Sequence, residues 1–162
     1  MASVAQAPDL MRLRPMLMED LDRVLQIESE AYPVPWSRLV FEDCVKGSNE
    51  CWVATIAGEI CGYAIVSNIL DEVHLLNLCI DPRNNRRGYG RTLLRKLIAR
   101  SVSRGASVFF LEVRVSNRAA ISLYFSEGFN EVGIRKGYYP SRSGAREDAI
   151  VMTLDLSIDC TV

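Results

Sequence analysis

The chain has 162 residues, which suits one domain with a buried core, and its 49% hydrophobic and 24% charged content is ordinary for a soluble globular protein. No apolar run is long enough to span a bilayer, and residues 1–15 lack the basic start and apolar middle of a signal peptide, so we predict a cytoplasmic protein without membrane contacts. His74 is the only histidine, and the five cysteines contain no Cys-x-x-Cys pair. We therefore expect no metal, and small buried thiols rather than disulfides.

Hydrophobic periodicity and turn residues predict a loose tail at residues 1–9, followed by a single domain at residues 10–162. In chain order we first predict a strand at 11–14, a helix at 19–31, a short helix capped by Ser37, and strands at 51–57, 60–69 and 75–80. A helix at 91–103, a strand at 108–113 and a helix from its capping residue Asn117 to 127 follow. The last two elements are strands at 129–134 and 149–156. The order βααβββαβαββ indicates an α/β domain, a mixed sheet with helices on its faces.

The net charge of −1 conceals an asymmetry along the chain. Residues 1–80 carry 12 acidic and 5 basic side chains, whereas residues 81–162 carry 8 acidic and 14 basic ones. A run of basic residues on a helix can simply be solvated, and nucleic acid is not expected as a partner because no aromatic residues are interleaved with the bases. A polyphosphate cofactor explains the position of the basic run beside a glycine-containing loop better.

That loop, residues 85–90 with the sequence Asn-Arg-Arg-Gly-Tyr-Gly, lies between an apolar strand and an amphipathic helix. Glycine lets the backbone approach a ligand closely, and unpaired N–H groups at a helix start attract anions. The loop has neither the Gly-Lys-Ser/Thr of a Walker loop nor the third glycine of a dinucleotide fingerprint. It fits a shorter phosphate loop, although Gly-x-Gly after a strand also fits a plain tight turn.

The element order and the loop together resemble the Gcn5-related N-acetyltransferases (GNAT), whose Gln/Arg-x-x-Gly-x-Gly/Ala loop holds the pyrophosphate of acetyl-coenzyme A (acetyl-CoA). Asn85 stands where the family has Gln or Arg, a departure that leaves the backbone donors intact. The resemblance implies a GNAT fold, with a mixed sheet of six to seven strands splayed at its centre and helices on both faces. It also implies acetyl-CoA as the acyl donor.

Several separated segments resemble one bacterial subfamily more narrowly, the RimI-type acetyltransferases. They are residues 35–37, 71–72, 111–117, 120–124, 128–130, 138–140 and 146–152. This subfamily acetylates the N-terminal alanine of small-subunit ribosomal protein eighteen. The resemblance therefore implies a protein N-terminus as the acceptor, attacking acetyl-CoA directly in a ternary complex.

The resemblance also implies two catalytic residues. The glutamate of Leu-Glu-Val-Arg is the general base of the family, and Glu112 occupies that position. Tyr124 stands where the family has its general acid, and a tyrosine is protonated at pH 7, as a proton donor to the departing thiolate must be. Without the resemblance, the two residues would also fit a solvated strand position and a core aromatic.

The acetyl-CoA site follows from the same resemblance. Backbone groups for the acyl arm are expected at Leu78, Cys79 and Ile80, where an N–H would stabilise the oxyanion. The phosphates are expected at a second set of residues, Arg86, Arg87, Gly88, Tyr89, Gly90 and Arg91. Asn117 caps its helix and also matches an asparagine that contacts coenzyme A in related enzymes.

The acceptor is expected on the other side of the splayed sheet. Its walls are expected to be Trp36, Tyr138 and Tyr139, because exposed aromatic residues are typical of binding surfaces, although Trp36 also fits a lid on the core. The first half of the chain has acidic side chains that would favour an acceptor with positive charge near its amine. They are Glu28, Glu30, Asp71 and Glu72.

Two other functions stay open. The acceptor can instead be a lysine side chain or a small-molecule amine such as a polyamine or aminoglycoside, because the fold alone permits it. The protein can also be a regulatory module that binds coenzyme A without catalysis, a function at which only Asn85 hints. Retention of both Glu112 and Tyr124 speaks against that second alternative.

Overall fold

Seven strands form one mixed sheet in a computed structural model that describes residues 10–157. The strands are β1 (Met11–Pro15), β2 (Glu50–Ile56), β3 (Glu59–Ile69), β4 (Glu72–Ile80), β5 (Val108–Arg114), β6 (Asn130–Tyr139) and β7 (Glu147–Asp155). Their order across the sheet is β1-β2-β3-β4-β5-β7-β6, and every neighbouring pair is antiparallel except β4 and β5. The predicted mixed sheet is confirmed, with seven strands.

Four α-helices connect the strands: α1 (Leu21–Ala31), α2 (Arg38–Lys46), α3 (Tyr89–Ser103) and α4 (Arg118–Ser126). Both predicted caps are confirmed, because the Ser37 hydroxyl accepts a hydrogen bond from the N–H of residue 40, and the Asn117 side chain accepts one from the N–H of residue 120 at 3.2 Å. Helix α1 ends before Tyr32, which is extended because Pro33 follows it. None of the helices within residues 10–157 has the length and apolar character that crossing a membrane requires.

The hydrophobic core has two parts, one on each face of the sheet. On one face, α3 and α4 pack buried residues such as Leu93, Leu97 and Tyr124 against the strands. On the other face, α1 and α2 do the same with residues such as Ile27 and Phe41. Because helices cover both faces, β3 is buried without interruption from residue 61 to residue 66 instead of alternating between buried and exposed positions.

Several element boundaries differ from the predictions, and β7, for example, begins at Glu147 rather than at residue 149. Strand β4 begins at Glu72 and α3 begins at Tyr89, each a few residues early, while β6 continues to Tyr139. Strand β6 is an edge strand with mostly exposed side chains, so it lacks the apolar alternation that would have revealed its length.

The cysteines within the described residues follow the prediction, and all four are buried free thiols: Cys44, Cys51, Cys61 and Cys79. Two predictions lie outside the described residues, the tail at residues 1–9 and the thiol of Cys160.

Candidate active site

The sheet opens between its two parallel strands. Residues 72–75 of β4 pair with residues 108–111 of β5, and the pairing stops there. Beyond that point β4 continues to Ile80 along β3, while β5 continues to Arg114 along β7. The two strands therefore diverge and leave a cleft, which is the splayed centre that the resemblance to the GNAT family implied.

One cavity of this cleft, which we call the loop pocket, lies between the end of β4, the segment before α3 and the start of α4. Its volume is about 690 Å³. Its walls include eight residues from these parts of the chain and from the first turn of α3: Ile80, Asn85, Arg86, Gly88, Gly90, Asn117, Ala120 and Leu123. The glycine loop and the end of β4, which are adjacent in sequence, thus line the same cavity as α4.

The first turn of α3 leaves backbone donors available at the loop pocket. Gly88 precedes the helix with φ 77°, a left-handed conformation that favours glycine, and no side chain caps the helix. The first helical N–H with an acceptor inside the helix is that of Thr92, which donates to the Gly88 carbonyl at 3.1 Å. The N–H groups of Tyr89, Gly90 and Arg91 therefore lack helical acceptors, and all three residues line the pocket. Such a terminus favours an anion.

The arginines around the loop take different positions. Arg86 lines the loop pocket, whereas Arg87 is exposed and is not among the residues that line it. Arg91 contributes its backbone, because its guanidinium donates to the Ser126 hydroxyl at 2.8 Å and to Glu127. The hydrogen bonds of Arg95 and Arg91 hold the pKa of the Glu127 carboxyl below its ordinary value. Five of the six predicted phosphate-loop residues thus line one cavity.

Strand β4 presents alternate backbone groups to the cleft. On the cleft side of β4, the Tyr32 hydroxyl donates a hydrogen bond of 2.8 Å to the Leu78 carbonyl. On the opposite edge, the N–H of Asp81 donates a hydrogen bond of 2.8 Å to β3. Because the N–H and C=O of one strand residue point to the same edge, and successive residues alternate, Leu78 and Ile80 face the cleft. Cys79 lines the loop pocket, but its N–H is directed towards β3. Of the three predicted residues, two therefore offer backbone donors to the cleft.

A second cavity of about 100 Å³ adjoins the loop pocket on the side of the segment that joins α1 to α2, and we call it the Glu112 pocket. Its walls include residues from α1, that segment, β4, β5 and β6: Glu28, Val34, Trp36, Asn77, Glu112, Arg114 and Tyr139. Four residues line both cavities, namely Tyr32, Leu78, Asn117 and Tyr124. The two pockets therefore meet at the open edge of β4.

Glu112 lies where β5 separates from β4, and its side chain is 13% exposed. Its Oε1 lies 3.3 Å from a guanidinium nitrogen of Arg135 in β6. A carboxylate at the wall of a cavity can take a proton from an amine bound there.

Helix α4 supplies two residues to the point where the pockets meet. Tyr124 packs against Phe129 with ring centroids 5.6 Å apart, and burial raises the pKa of Tyr124 to about 12. Its hydroxyl is therefore protonated at neutral pH and can act as a donor. Asn117 uses its side-chain oxygen to cap α4, which leaves its amide N–H groups for a ligand.

Of the residues predicted for the acceptor, the three aromatic residues and Glu72 take separate positions in the structure. Trp36 and Tyr139 line the Glu112 pocket. Tyr138 is not among the lining residues; it is 42% exposed, and the Arg135 guanidinium lies 5.3 Å from its ring centroid. Glu72 is at the start of β4, where β4 and β5 are still paired, and it does not reach the cleft.

Sequence reasoning missed a buried network beneath the Glu112 pocket. Glu28 is 1% exposed rather than a surface acid, and its Oε1 accepts from the N–H of Trp36 at 3.0 Å. Its Oε2 accepts from the Tyr63 hydroxyl and from the Asn77 amide, the latter at 3.1 Å. The sequence did indicate that Glu28 is buried, because Glu28 follows Val24 by four residues and so falls on the buried stripe of α1. Glu28 thereby fixes the segment that carries Trp36.

Two further residues of the site were also missed. Tyr32 donates a hydrogen bond to β4. Its only distinguishing feature in the sequence is its position before Pro33, which indicates the end of a helix. Arg135 contacts Glu112 from a strand two positions away in the sheet, a proximity that no local pattern indicates. Within residues 10–157, no group of three or more His, Cys, Asp or Glu side chains is arranged to hold a metal ion.

The chain is similar to known proteins along most of its length. The profile of the Acetyltransferase (GNAT) family matches residues 17–129. The [ribosomal protein bS18]-alanine N-acetyltransferase of Escherichia coli K12 is 43% identical over 139 residues, covering 86% of this chain and 93% of that protein. The protein of the same name from Haemophilus ducreyi is 42% identical over 140 residues, covering 85% and 95%.

Solved structures agree with these matches. The crystal structure of the ribosomal-protein-S18-alanine N-acetyltransferase from Escherichia coli has a TM-score of 0.84 at 40% identity, covering 91% of this chain and 95% of that one. Arabidopsis thaliana NAA60 in complex with acetyl-CoA has a TM-score of 0.79 at 21% identity, covering 90% and 98%, which indicates a common fold. From its sequence and its splayed sheet alike, the chain belongs to the GNAT family of acetyltransferases.

Proposed function

We propose that this acetyltransferase transfers the acetyl group of acetyl-CoA to the N-terminal alanine of ribosomal protein bS18, a cytoplasmic acceptor. Relatives that match nearly their whole length are named for this reaction. One observation supports the proposal most: the loop pocket and the Glu112 pocket meet at Tyr32, Leu78, Asn117 and Tyr124. Direct transfer requires a donor and an acceptor that meet in this way, with no covalent enzyme intermediate.

The loop pocket fits the donor. Its uncapped helix start offers the N–H groups of Tyr89, Gly90 and Arg91 to the pyrophosphate, and Arg86 adds positive charge. An extended pantetheine arm can pair with the open edge of β4, as an added strand does. The Leu78 N–H then lies in the cleft, where it can stabilise the negative oxygen that forms on the thioester carbonyl.

The Glu112 pocket fits the acceptor. A free α-amino group has a pKa of about 8, so most of it arrives protonated at neutral pH and cannot attack. Glu112 takes that proton, directly or through one water, and the neutral nitrogen then attacks the thioester carbon. As the C–S bond breaks, the Tyr124 hydroxyl gives its proton to the departing sulfur, and the nitrogen loses its second proton to the tyrosinate, which leaves a neutral amide and restores Tyr124. The elevated pKa of Tyr124, about 12, keeps that proton available.

The shape of the Glu112 pocket favours a chain end with a small side chain. Its volume of about 100 Å³ suits alanine, and Trp36 and Tyr139 bound it. Beside it, the Arg142 guanidinium donates to the Pro33 carbonyl at 2.8 Å, which links the connection after β6 to the segment after α1. This link holds the segment whose Trp36 lines the pocket.

Mass spectrometry tests the proposal. The protein is incubated with acetyl-CoA and a peptide from the bS18 N-terminus that contains a lysine, and in parallel with the same peptide blocked at its α-amine. We expect one acetyl group on the α-amine of the free peptide and none on the blocked one. Acetylation of lysine in the blocked peptide would instead indicate a side-chain acceptor. Binding of acetyl-CoA in calorimetry without transfer to any peptide would indicate a regulatory module.

A further inference from the structure

The Glu112 carboxylate makes an ion pair that the reaction outlined above does not use. Its Oε1 lies 3.3 Å from the Arg135 guanidinium. The Arg135 side chain is 54% exposed, whereas that of Glu112 is 13% exposed. A half-exposed cation thus covers a mostly buried carboxylate at the wall of the cavity, and this arrangement requires an explanation.

The register of three strands brings the two residues together. Glu112 of β5 lies opposite Val151 of β7, and Val151 lies opposite Gly133 of β6. Directly opposed residues share a face of the sheet, and so does Arg135, two residues beyond Gly133. Arg135 itself lies opposite Ala149 of β7, whose side chain is only a methyl group, and its long arm reaches diagonally across β7 to the carboxylate.

Several other charged or titratable groups surround Glu112 at the pocket: Glu28, Tyr32, Arg114, Tyr124 and Tyr139. Arg114 is engaged elsewhere, with Glu147 at 3.2 Å and the Pro140 carbonyl at 3.0 Å. Both oxygens of Glu28 accept hydrogen bonds from inside the protein.

The tyrosines add no charge at neutral pH. Burial first, and next the negative charge of Glu112, raise the pKa of Tyr139, and burial raises that of Tyr124 and of Tyr32 as well. Among residues 10–157, Arg135 is the cation paired with the Glu112 carboxylate.

We propose that Arg135 is a positioning residue for acetyl transfer, which holds Glu112 in its charged form and aims its carboxylate into the pocket. The inference rests on the proposed role of Glu112 as the general base. A base must be free of its proton before the amine arrives, and an adjacent guanidinium stabilises that charged state. The ring of Tyr138 lies 5.3 Å from the guanidinium and steadies it from the outside. Tyr138 thus acts through Arg135 rather than on the acceptor.

Titration of Glu112 itself tests the proposal without any acceptor. The carboxyl carbon of Glu112 is followed by NMR in ¹³C-labelled protein, and the signal is assigned by its loss in Glu112→Gln. In Arg135→Ala we expect the titration midpoint of this signal to move to higher pH, because the neighbouring positive charge is lost. Arg135→Lys should restore about half of that shift or more. Lys136→Ala is the matched control, because Lys136 is the next residue on β6, faces the other way and pairs with Asp148 at 3.1 Å.

Turnover supplies the second readout. A misdirected base slows the chemical step and leaves binding intact, so Arg135→Ala should lower kcat by about 10-fold while KM for acetyl-CoA and peptide changes by less than about 2-fold. An unchanged midpoint in Arg135→Ala, an equal shift in Lys136→Ala, or a shifted midpoint with unchanged kcat would each overturn the proposal. Failure of the wild-type protein to acetylate the peptide would count against the proposed function alone, since the NMR titration needs no acceptor.

Discussion

Glu112 and the acceptor amine share one proton, and this makes the effect of removing the carboxylate depend on pH. In Glu112→Gln the amide cannot accept a proton, so only the small neutral fraction of the amine can attack near pH 7. We expect kcat to fall by about 10²- to 10³-fold there, with partial recovery near pH 9, above the amine pKa of about 8. Steady-state rates across this range check the prediction. Glu131→Gln, at an exposed position on β6, is the control. An equal loss at both pH values would remove Glu112 from proton transfer.

Tyr124 can be tested by removing one oxygen. Tyr124→Phe keeps the ring that packs against Phe129 but loses the proton donor. We expect kcat to fall by about 10²-fold with little change in the affinity for coenzyme A. Calorimetry of coenzyme A binding and thermal unfolding of the same variant show whether it is still folded. They therefore distinguish loss of the proton donor from loss of the fold. A kcat within 2-fold or so of wild type would show that the thiolate departs without help from this residue.

At the scale of elements, the end of β4 depends on the close approach of β3. A Cβ at Gly62 would lie 2.6 Å from the Cys79 carbonyl oxygen and 2.7 Å from the Ile80 side chain. Gly62→Ala must therefore displace the part of β4 that faces the cleft. We expect a loss of about 1–3 kcal/mol in the free energy of unfolding, together with weaker binding of coenzyme A. Denaturant unfolding and calorimetry measure both quantities.

The control for that variant is Gly133→Ala in β6, where a Cβ would meet nothing within 4 Å. This change should alter the free energy of unfolding by less than about 1 kcal/mol. If the two variants were equally stable, the contact between β3 and β4 would not position the edge of the cleft.

The link between the two segments beside the Glu112 pocket is also testable. Arg142→Ala removes the hydrogen bond to the Pro33 carbonyl. One such bond is worth about 1 kcal/mol, so KM for the peptide should rise by about 5-fold while kcat is nearly unchanged. Arg146→Ala is the comparison, because it removes hydrogen bonds from the same connection to the Gly137 and Tyr138 carbonyls of β6. A larger effect on kcat than on KM would contradict a role in acceptor binding.

The elements differ in how far the sequence revealed them. Apolar stripes and side-chain caps predicted the helices, as Ser37 and Asn117 illustrate, because capping is a local interaction. The full length of β6 was not predicted, because an exposed edge strand shows no apolar alternation. The contact of Arg135 with Glu112 escaped for another reason, since it depends on the register of three strands that are distant in sequence.

At the scale of the whole molecule, most arginines of the basic run in the second half of the chain pair with acidic residues of the fold. Arg83 pairs with Asp81, and Arg91 and Arg95 pair with Glu127. Arg100 and Arg104 pair with Glu50 in β2. These five arginines share three carboxylates, so the positive charge of the run is partly compensated within the fold. The sequence revealed the sign and place of the charge, but the partners come from other elements and could not be read from local spacing.

Acid should weaken the fold through Asp81, a buried residue at the end of β4. Hydrogen bonds from Arg83, and then from Arg23 of α1, lower its pKa from 3.8 to about 2. Because the folded pKa lies below the ordinary value, the stabilisation is complete above about pH 5 and is lost as the pH falls towards 2. Asp81→Asn should cost about 2 kcal/mol at pH 7 and flatten this decline. Asp22→Asn, an exposed acid of α1, is the control. If the free energy of unfolding depended on pH in the same way in wild type and in Asp81→Asn, Asp81 would not be the cause of the loss of stability in acid.

The meeting of two ligands at one edge of β4 can be observed directly by NMR, with coenzyme A and the bS18 peptide added separately to labelled protein so that no transfer occurs. We predict that coenzyme A shifts the amide signals of Tyr89 and Gly90, that the peptide shifts the indole signal of Trp36, and that both ligands shift Leu78 and Asn117. A peptide that competes with coenzyme A for the loop pocket, or that leaves Trp36 and Leu78 unchanged while it is acetylated, would contradict the account.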